Sequence, residues 1–191
     1  MQPREVTVPA LELEAVLRAA PPALHLALLL ARDAGLRVGT IVKLRCCDCD
    51  FERRLILGNT KNNRRFNVPM TQRLYERLLW TVAESRDPEN TVLELLRPTR
   101  KNYGVDAMEV QLRRAKQTAK VQGNWTFHDL RRTTARDLYT ATGDIRKVQR
   151  FLSHVHLRTT FWYIGNQAID LSPHELEAAT RQPKIKEEIS A

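Results

Sequence analysis

The chain is poor in cysteine and has no long apolar run, and each shortage argues against a class of protein. Its three cysteines, Cys46, Cys47 and Cys49, lie within four positions. They cannot complete a tetrahedral metal site without a distant fourth ligand, so reduced thiols in a cytosolic protein are the simpler interpretation. The longest apolar run, Ala23 to Ala31, is far shorter than the roughly 20 residues that cross a bilayer. With no targeting segment visible, we expect a cytoplasmic protein without a membrane partner.

Acidic residues are also scarce relative to basic ones. The 191 residues contain 22 Asp and Glu against 31 Lys and Arg, a formal net charge of +9. Such an excess predicts an anionic partner, most simply nucleic acid, although a basic protein with no polyanion partner remains an alternative. The length suits one domain with a sizeable core. No internal repeat or low-complexity tract is visible in the sequence.

The hydrophobic pattern predicts a mainly α protein with a small antiparallel β-sheet, an α+β fold. Helical spacing of apolar residues indicates helices over residues 11–20, 23–33, 38–44, 71–84, 105–121, 127–139 and 145–152. Alternation over 51–57 and a return over 66–68, with asparagine and glycine between them, predict a basic hairpin.

Two helix starts have complete capping signals. Thr126 is followed three positions later by Asp129, which predicts a helix from Phe127. Ser172 with Pro173 after it predicts another helix near the end of the chain. We therefore divide the sequence into a catalytic body over 1–170 and a C-terminal helix with a charged tail over 171–191.

Four chemically capable side chains follow one another along the last third of the body. His128 and Arg131 are three apart on a predicted helix and so share one face, His154 follows, and Tyr163 lies nine residues beyond it. Two imidazoles, a fixed cation and a phenol are suited to cleaving a phosphodiester without a metal. The phenol would be the nucleophile, and the other groups would stabilise charge on phosphorus.

The chain resembles the tyrosine recombinases, the phage integrase family, in four segments that occur in the family's order and spacing. The segments are Ala34–Arg37, Lys61 eight residues before Pro69, His128–Thr134, and Leu152–His154 with Tyr163. The resemblance covers about residues 8 to 164. It implies the catalytic-domain fold of these enzymes and a site-specific recombinase, most simply an integrase of a mobile element, that needs no metal, ATP or other cofactor.

The resemblance also implies six catalytic residues, which are Arg37, Lys61, His128, Arg131, His154 and Tyr163. Tyr163 would attack the scissile phosphate, form a 3′-phosphotyrosyl bond and release a 5′-hydroxyl. The two arginines would clamp the non-bridging oxygens, since a planar guanidinium matches them bidentately. His128 would assist proton transfer and hold the phosphate, His154 would hydrogen-bond the phosphate, and Lys61 would protonate the leaving oxygen.

Double-stranded DNA is the partner that the resemblance implies, with self-assembly into a tetramer on the DNA. We expect further DNA contacts from Arg64, Arg65, Arg132 and Arg158. The helix predicted at Pro173 is expected either to dock on a neighbouring protomer or to fold back on its own.

The sequence departs from the family's pattern in three ways. Thr40 stands where an acidic residue is common, and Ser153 stands where glycine is usual. Family members also have an N-terminal DNA-binding domain, which does not precede this catalytic part. We therefore expect either an isolated catalytic domain or a minimal recombinase, with weak and poorly specific DNA binding.

Other interpretations remain open at this point. A type IB topoisomerase shares the chemistry, a non-catalytic DNA-binding protein shares the fold, and a zinc-binding regulator built on Cys46–Cys49 is more remote. Each residue also has an ordinary structural explanation. Arg37 could cap a helix, Lys61 could be a phosphate contact, and the histidines and Tyr163 could be packed or hydrogen-bonded side chains.

Overall fold

The computed structural model describes residues 7–59, 65–83, 85–96 and 104–164, and these form eight α-helices and three β-strands. The helices are α1 (Ala10–Ala19), α2 (Pro22–Asp33), α3 (Val38–Ile41), α4 (Gln72–Ala83), α5 (Val105–Thr118), α6 (Phe127–Thr142), α7 (Ile145–Phe151) and α8 (Leu157–Ile164). The strands are β1 (Cys49–Asp50), β2 (Leu55–Asn59) and β3 (Arg65–Pro69). The prediction of a mainly α fold with a small antiparallel sheet is confirmed. In the part of the chain so described, every helix is too short or too polar to cross a membrane.

Helix α2 forms the centre of the main core. Pro22 occupies its first turn, where the missing N–H of proline costs nothing. Its apolar residues are buried on every side, with Leu24, Leu26 and Leu28 fully inaccessible, as expected for a helix without a polar face. It packs against α4 and α6, and through α6 it supports the first half of the candidate site.

The sheet has three strands, one more than the predicted hairpin. Its first long strand, β2, begins at Leu55 and not at residue 51 as predicted. The strands are antiparallel in the order β1-β2-β3, with buried Ile56 opposite buried Val68. Residues 51–54, predicted as strand, form a turn in which Asp50 accepts a hydrogen bond from the Arg53 N–H at 2.9 Å. Arg54 has a φ of +54°, which strand geometry does not allow.

The start of α6 is fixed by the predicted pair of capping residues. The Asp129 carboxylate accepts hydrogen bonds from the backbone N–H and the hydroxyl of Thr126, both at 2.9 Å. The helix continues three residues beyond the predicted end at Tyr139 and terminates at Gly143, whose φ is +62°. This cap sets the register of the helix and therefore the face from which the site residues project.

A second, smaller core joins α6, α7 and α8. Its buried members are Ala135, Val148, Leu152, Tyr163 and Ile164. The candidate nucleophile, Tyr163, is therefore also a packing residue of this cluster.

The turn between α2 and α3 depends on Gly35. Its φ is +60°, and a Cβ built there would lie 2.9 Å from Phe151 Cε1 and 3.1 Å from Leu152 Cδ2. The absence of a side chain lets this turn approach the end of α7 closely.

We expect Gly35→Ala to destabilise the protein more than Gly143→Ala. Both glycines have φ near +60°, but nothing lies within 4 Å of a Cβ at Gly143. Gly143→Ala should cost about 1–2 kcal/mol of unfolding free energy for the left-handed backbone. Gly35→Ala should add roughly 1–3 kcal/mol of overpacking. Urea unfolding of both variants measures the difference, and equal losses would contradict the proposed close approach.

Candidate active site

Four of the predicted site residues meet where α6 begins and where α7 turns into α8. His128 and Arg131 project from the first turns of α6, His154 follows α7, and Tyr163 lies on α8. The Tyr163 ring centroid is 5.0 Å from that of His128 and 4.6 Å from that of His154. Both ring pairs meet edge to face, at interplanar angles of 66° and 63°. The phenol is thus held between two imidazoles.

Arg131 ties three separate segments of the chain together. It is 4% exposed, and its guanidinium donates hydrogen bonds to the carbonyl oxygen of Gly35 and, at 2.7 Å, to that of Leu152. Its Nη2 also lies 3.3 Å from Nε2 of His154. The carbonyls belong to the α2–α3 turn and the end of α7, so the arginine is oriented by backbone that cannot rotate away.

The Arg131 guanidinium remains a cation in spite of its burial. Burial, together with the charge of Arg37, lowers the pKa of Arg131 to about 10, which still leaves it protonated at neutral pH. Its buried Nε finds no hydrogen-bond acceptor among the described residues. A bound anion would supply both the missing acceptor and the missing charge.

His154 is neutral in this environment. Burial first, and then the charges of Arg131 and Arg37, lower the pKa of His154 from 6.5 to about 3. Its Nδ1 lies 3.1 Å from the Thr160 hydroxyl, so both ring nitrogens have neighbours within the protein.

His128 is placed to accept the proton of Tyr163. Its Nδ1 lies 3.5 Å from the Tyr163 hydroxyl, a long contact of the kind that tightens when substrate binds. Partial burial and the charges of Arg132 and Arg131 lower the pKa of His128 below 6.5. The imidazole is therefore an unprotonated acceptor at neutral pH.

A cleft of about 1210 Å³ opens in front of these side chains. Arg37, Thr40, His128, Arg131 and His154 contribute to one side, and residues of β2 and β3 to another. Arg37 is exposed at the start of α3 and makes no ion pair with any described residue. Tyr163 is 7% exposed and is not among the residues that line the cleft.

The other predicted residues are dispersed. Arg65 on β3 and Arg158 on α8 are exposed. Arg132 is half-buried, with Nη1 3.7 Å from Asp129 Oδ1 and Cζ 5.8 Å from the Tyr163 ring centroid, so it lies beside the phenol. The predicted catalytic Lys61 and DNA contact Arg64 lie outside the described residues, as does the helix predicted at residue 173.

Three hydrogen-bonding groups of the site were not predicted from the sequence. They are the carbonyls of Gly35 and Leu152 and the hydroxyl of Thr160. A backbone carbonyl has no signature in the sequence. Thr160 lies within the segment that resembles the family's third motif, but spacing alone gave it no role.

Ser153 occupies a backbone conformation that explains the glycine usual at this position in the family. Its φ is +53°, in the left-handed region that side chains rarely adopt. Its N–H donates to the Arg150 carbonyl at 3.0 Å, which closes the end of α7 and directs the chain toward His154. The serine is accommodated at the cost of local strain.

Comparison with known proteins gives one family. The profile of the Phage integrase family matches residues 9–168. The tyrosine recombinase XerC of Proteus mirabilis is 26% identical over 132 residues, 68% of this chain and 43% of that protein. A putative tyrosine recombinase XerC of Pseudomonas aeruginosa is 29% identical over 140 residues, 68% of this chain and 33% of that protein. The chain therefore spans less than half the length of these curated relatives.

Solved structures share the fold. The XerA recombinase superimposes with a TM-score of 0.73 at 23% identity, over 94% of this chain and 64% of that one. XerH bound to its difH substrate in a pre-cleavage complex superimposes with a TM-score of 0.68 at 20% identity, over 94% of this chain and 54% of that one. A lambda integrase dimer bound to a core site superimposes with a TM-score of 0.65 at 19% identity, over 87% of this chain and 61% of that one.

The burial of neutral His154 predicts a specific pH dependence of stability. Between its unfolded pKa near 6.5 and its folded pKa of about 3, the unfolded chain binds a proton that the folded protein does not. The free energy of unfolding should therefore fall as pH falls below about 6.5, by up to about 1.4 kcal/mol per pH unit from this residue. Denaturant unfolding from pH 7 to 5.5 should show a shallower slope for His154→Gln. The exposed His156→Gln is the control, and an unchanged slope in His154→Gln would refute the assignment.

The two arginines of the site should differ in their importance for folding. An ammonium cannot reach both carbonyls that Arg131 bridges, so Arg131→Lys should cost about 1–3 kcal/mol of unfolding free energy. The exposed Arg37→Lys should change it by less than about 0.5 kcal/mol. Thermal and urea unfolding measure both, and a neutral Arg131→Lys would contradict its bridging role.

Proposed function

The chain belongs to the phage integrase family, and from this we propose that it is a tyrosine-type site-specific recombinase. It cuts and rejoins DNA strands through a 3′-phosphotyrosyl intermediate. The observation that carries the proposal is the phenol of Tyr163, held between two neutral imidazoles and 5.6 Å, ring centroid to Cζ, from the buried Arg131. Such a group is suited to nucleophilic attack at phosphorus.

In the cleavage step, Tyr163 Oη forms a bond to phosphorus while the bond from phosphorus to the 5′ oxygen breaks. The phenolic proton passes to Nδ1 of His128, which is a neutral acceptor within reach. The 5′ oxygen takes a proton from the general acid, a role we propose for Lys61 on the family resemblance. The products are a 3′-phosphotyrosyl bond and a free 5′-hydroxyl, so atoms and charge balance.

Stabilisation of the transition state falls to the arginines. Negative charge grows on the non-bridging oxygens as the new bond forms, and a fixed guanidinium costs no reorganisation at that moment. Arg131 is oriented by two carbonyls, and Arg37 at the cleft wall adds a second cation. Phosphodiesters are very inert, so this electrostatic contribution must supply much of the acceleration.

Rejoining is the same reaction in reverse. A 5′-hydroxyl, from the same or another strand, attacks the phosphotyrosyl phosphorus and the phenol leaves. The covalent bond retains the energy of the phosphodiester, so the chemistry proposed requires neither ATP nor a metal ion.

Double-stranded DNA is the proposed substrate. The net charge of +9 favours a polyanion, and structural relatives of the chain are described in complex with DNA, among them a transposon integrase with circular intermediate DNA. We propose further that copies of the chain assemble on DNA as a tetramer.

The test is covalent trapping. The protein is incubated in EDTA with a pool of nicked duplexes, and SDS-resistant protein–DNA adducts are recovered and sequenced. Wild type should form an adduct and Tyr163→Phe should form none, because the nucleophilic oxygen is gone while the ring still packs. Tyr75→Phe is the matched control, because this tyrosine packs against Phe51 away from the site.

The outcomes separate the alternatives. An adduct that persists in Tyr163→Phe would refute the nucleophile, and salt-sensitive DNA binding without any adduct would favour a protein that only binds. Relaxation of a supercoiled plasmid without strand exchange would favour a topoisomerase.

A further inference from the structure

One face of α6 follows α8 past the candidate nucleophile. His128, Arg132 and Arg136 recur every four residues on α6, so they lie on one side of that helix. His128 Nδ1 lies 3.5 Å from the Tyr163 hydroxyl, and Arg132 Cζ lies 5.8 Å from the centroid of its ring. Arg136 Nε donates a hydrogen bond, at 3.2 Å, to the carbonyl oxygen of the next residue, Ile164. The three side chains therefore face α8 at the phenol, at its ring and at the backbone beyond it.

The Ile164 carbonyl is a group that needs a donor. Ile164 is buried and is the last residue of α8, and the last four carbonyls of a helix have no donor within the helix. A guanidinium at a helix C-terminus supplies the donor and is attracted by the partial negative charge there. Because Ile164 directly follows Tyr163, a group that holds this carbonyl also limits where the phenol can lie.

The same guanidinium is held by the segment that precedes α1. Nη1 of Arg136 donates a hydrogen bond to the Thr7 hydroxyl at 2.7 Å. The neighbouring Val8 is buried in the main core, and its N–H donates to the Thr133 hydroxyl at 3.0 Å. Thr133 and Arg136 are three apart on α6, so the segment lies along this helix at two consecutive points. Thr7 is therefore fixed by its neighbour, and it fixes the Arg136 guanidinium in turn.

The two hydrogen bonds of Arg136 depend on each other. A guanidinium is planar and its donors form a rigid fork, so the direction of the Nη1 bond determines the direction of Nε. A displacement of Thr7 would turn Nε away from the Ile164 carbonyl. A lysine has one point of attachment and could not relate the two partners in this way.

We propose that Arg136 is a positioning residue for strand cleavage: it ties the end of the nucleophile helix to the segment before α1, and together they set the position of Tyr163. This inference deepens the proposed function and rests on it. Arg136 is not among the residues that line the cleft, so it acts on the reaction through α8 and not through the phosphate. A displacement of reacting groups by 1 Å can slow a reaction by about 100-fold.

The first test is hydrogen exchange of the full chain and needs no DNA. Arg136→Ala should speed exchange of the most protected amides in residues 157–164 by roughly 10-fold, because one charge-assisted hydrogen bond to the helix is lost. Thr7→Val should speed the same amides by roughly 2–5-fold. Arg18→Ala is the charge-matched control, because it removes an exposed arginine from α1, and it should leave α8 unchanged. Unchanged exchange of α8 in Thr7→Val would overturn the proposal.

The second test is the rate constant of adduct formation on a nicked duplex at saturating DNA. Arg136→Ala should lower it by roughly 10–100-fold, and Thr7→Val by roughly 2–5-fold. DNA affinity should stay at the wild-type value in both variants. Loss of folded protein alone would lower the final amount of adduct and leave the rate constant unchanged, and that result would contradict a positioning role. Faster cleavage by Arg136→Ala would show that the arginine restrains the phenol, and it would also refute the proposal.

The double variant shows whether Thr7 acts through Arg136. Thr7→Val should lower the rate in the wild-type background and change nothing further in the Arg136→Ala background, because the side chain that transmits its effect is gone. Independent effects of the two substitutions, whose fold-changes multiply, would rule out the coupling.

The tests separate the failure of this inference from failure of the proposed function. If wild type forms no adduct, the proposed function fails and the role of Arg136 in cleavage fails with it, while hydrogen exchange still decides whether the segment before α1 holds α8. If Arg136→Ala does not fold, the exchange and the cleavage rate of Thr7→Val decide the proposal without it, since Thr7 is exposed.

Discussion

The arrangement of the site depends on one buried interaction, the hydrogen bonding of Arg131 to the carbonyls of Gly35 and Leu152. A guanidinium at this depth would be costly without hydrogen-bond acceptors, and the two backbone carbonyls accept from its Nη1 and Nη2 groups without adding a negative charge. An aspartate or glutamate partner would neutralise the cation, whereas a carbonyl leaves its full charge available to an anion. The same two bonds hold the α2–α3 turn against the end of α7. Folding and the proposed recognition of an anion therefore share one residue.

The positive charge of the site explains the state of its histidines. Burial and the neighbouring arginines lower the pKa values of both His128 and His154 and leave the imidazoles neutral. Neutral rings can accept hydrogen bonds, one from the phenol and one from Arg131. A site with a carboxylate in place of Thr40 would weaken this effect, because a negative charge favours the imidazolium. The threonine keeps the cleft cationic on this side.

Tyr163 is a core residue, and the nucleophilic role proposed for it imposes an opposite demand. As a member of the small core it is 7% exposed and packs with Val148 and Leu152. In the proposed reaction it would have to reach a phosphorus atom in the cleft, which it does not line. The small core that holds it is distinct from the larger core around α2, and Phe151 packs against both.

The sequence alone predicted seven of the eight described helices, the cap of α6 and the candidate reacting groups, but it did not predict α8, the helix that carries Tyr163. Periodicity located α1, α2 and α4 to within a few residues, and the Thr126–Asp129 pair fixed the start of α6. The sequence could not locate β1, since two residues carry no period, nor the turn at Arg54, whose left-handed backbone has no glycine to signal it. Tertiary structure decided that carbonyls anchor Arg131, that Thr160 faces His154, and that Tyr163 is buried. These contacts involve backbone groups and residues up to 96 positions apart in the chain. The local pattern of residues carries no information about which distant groups will come into contact.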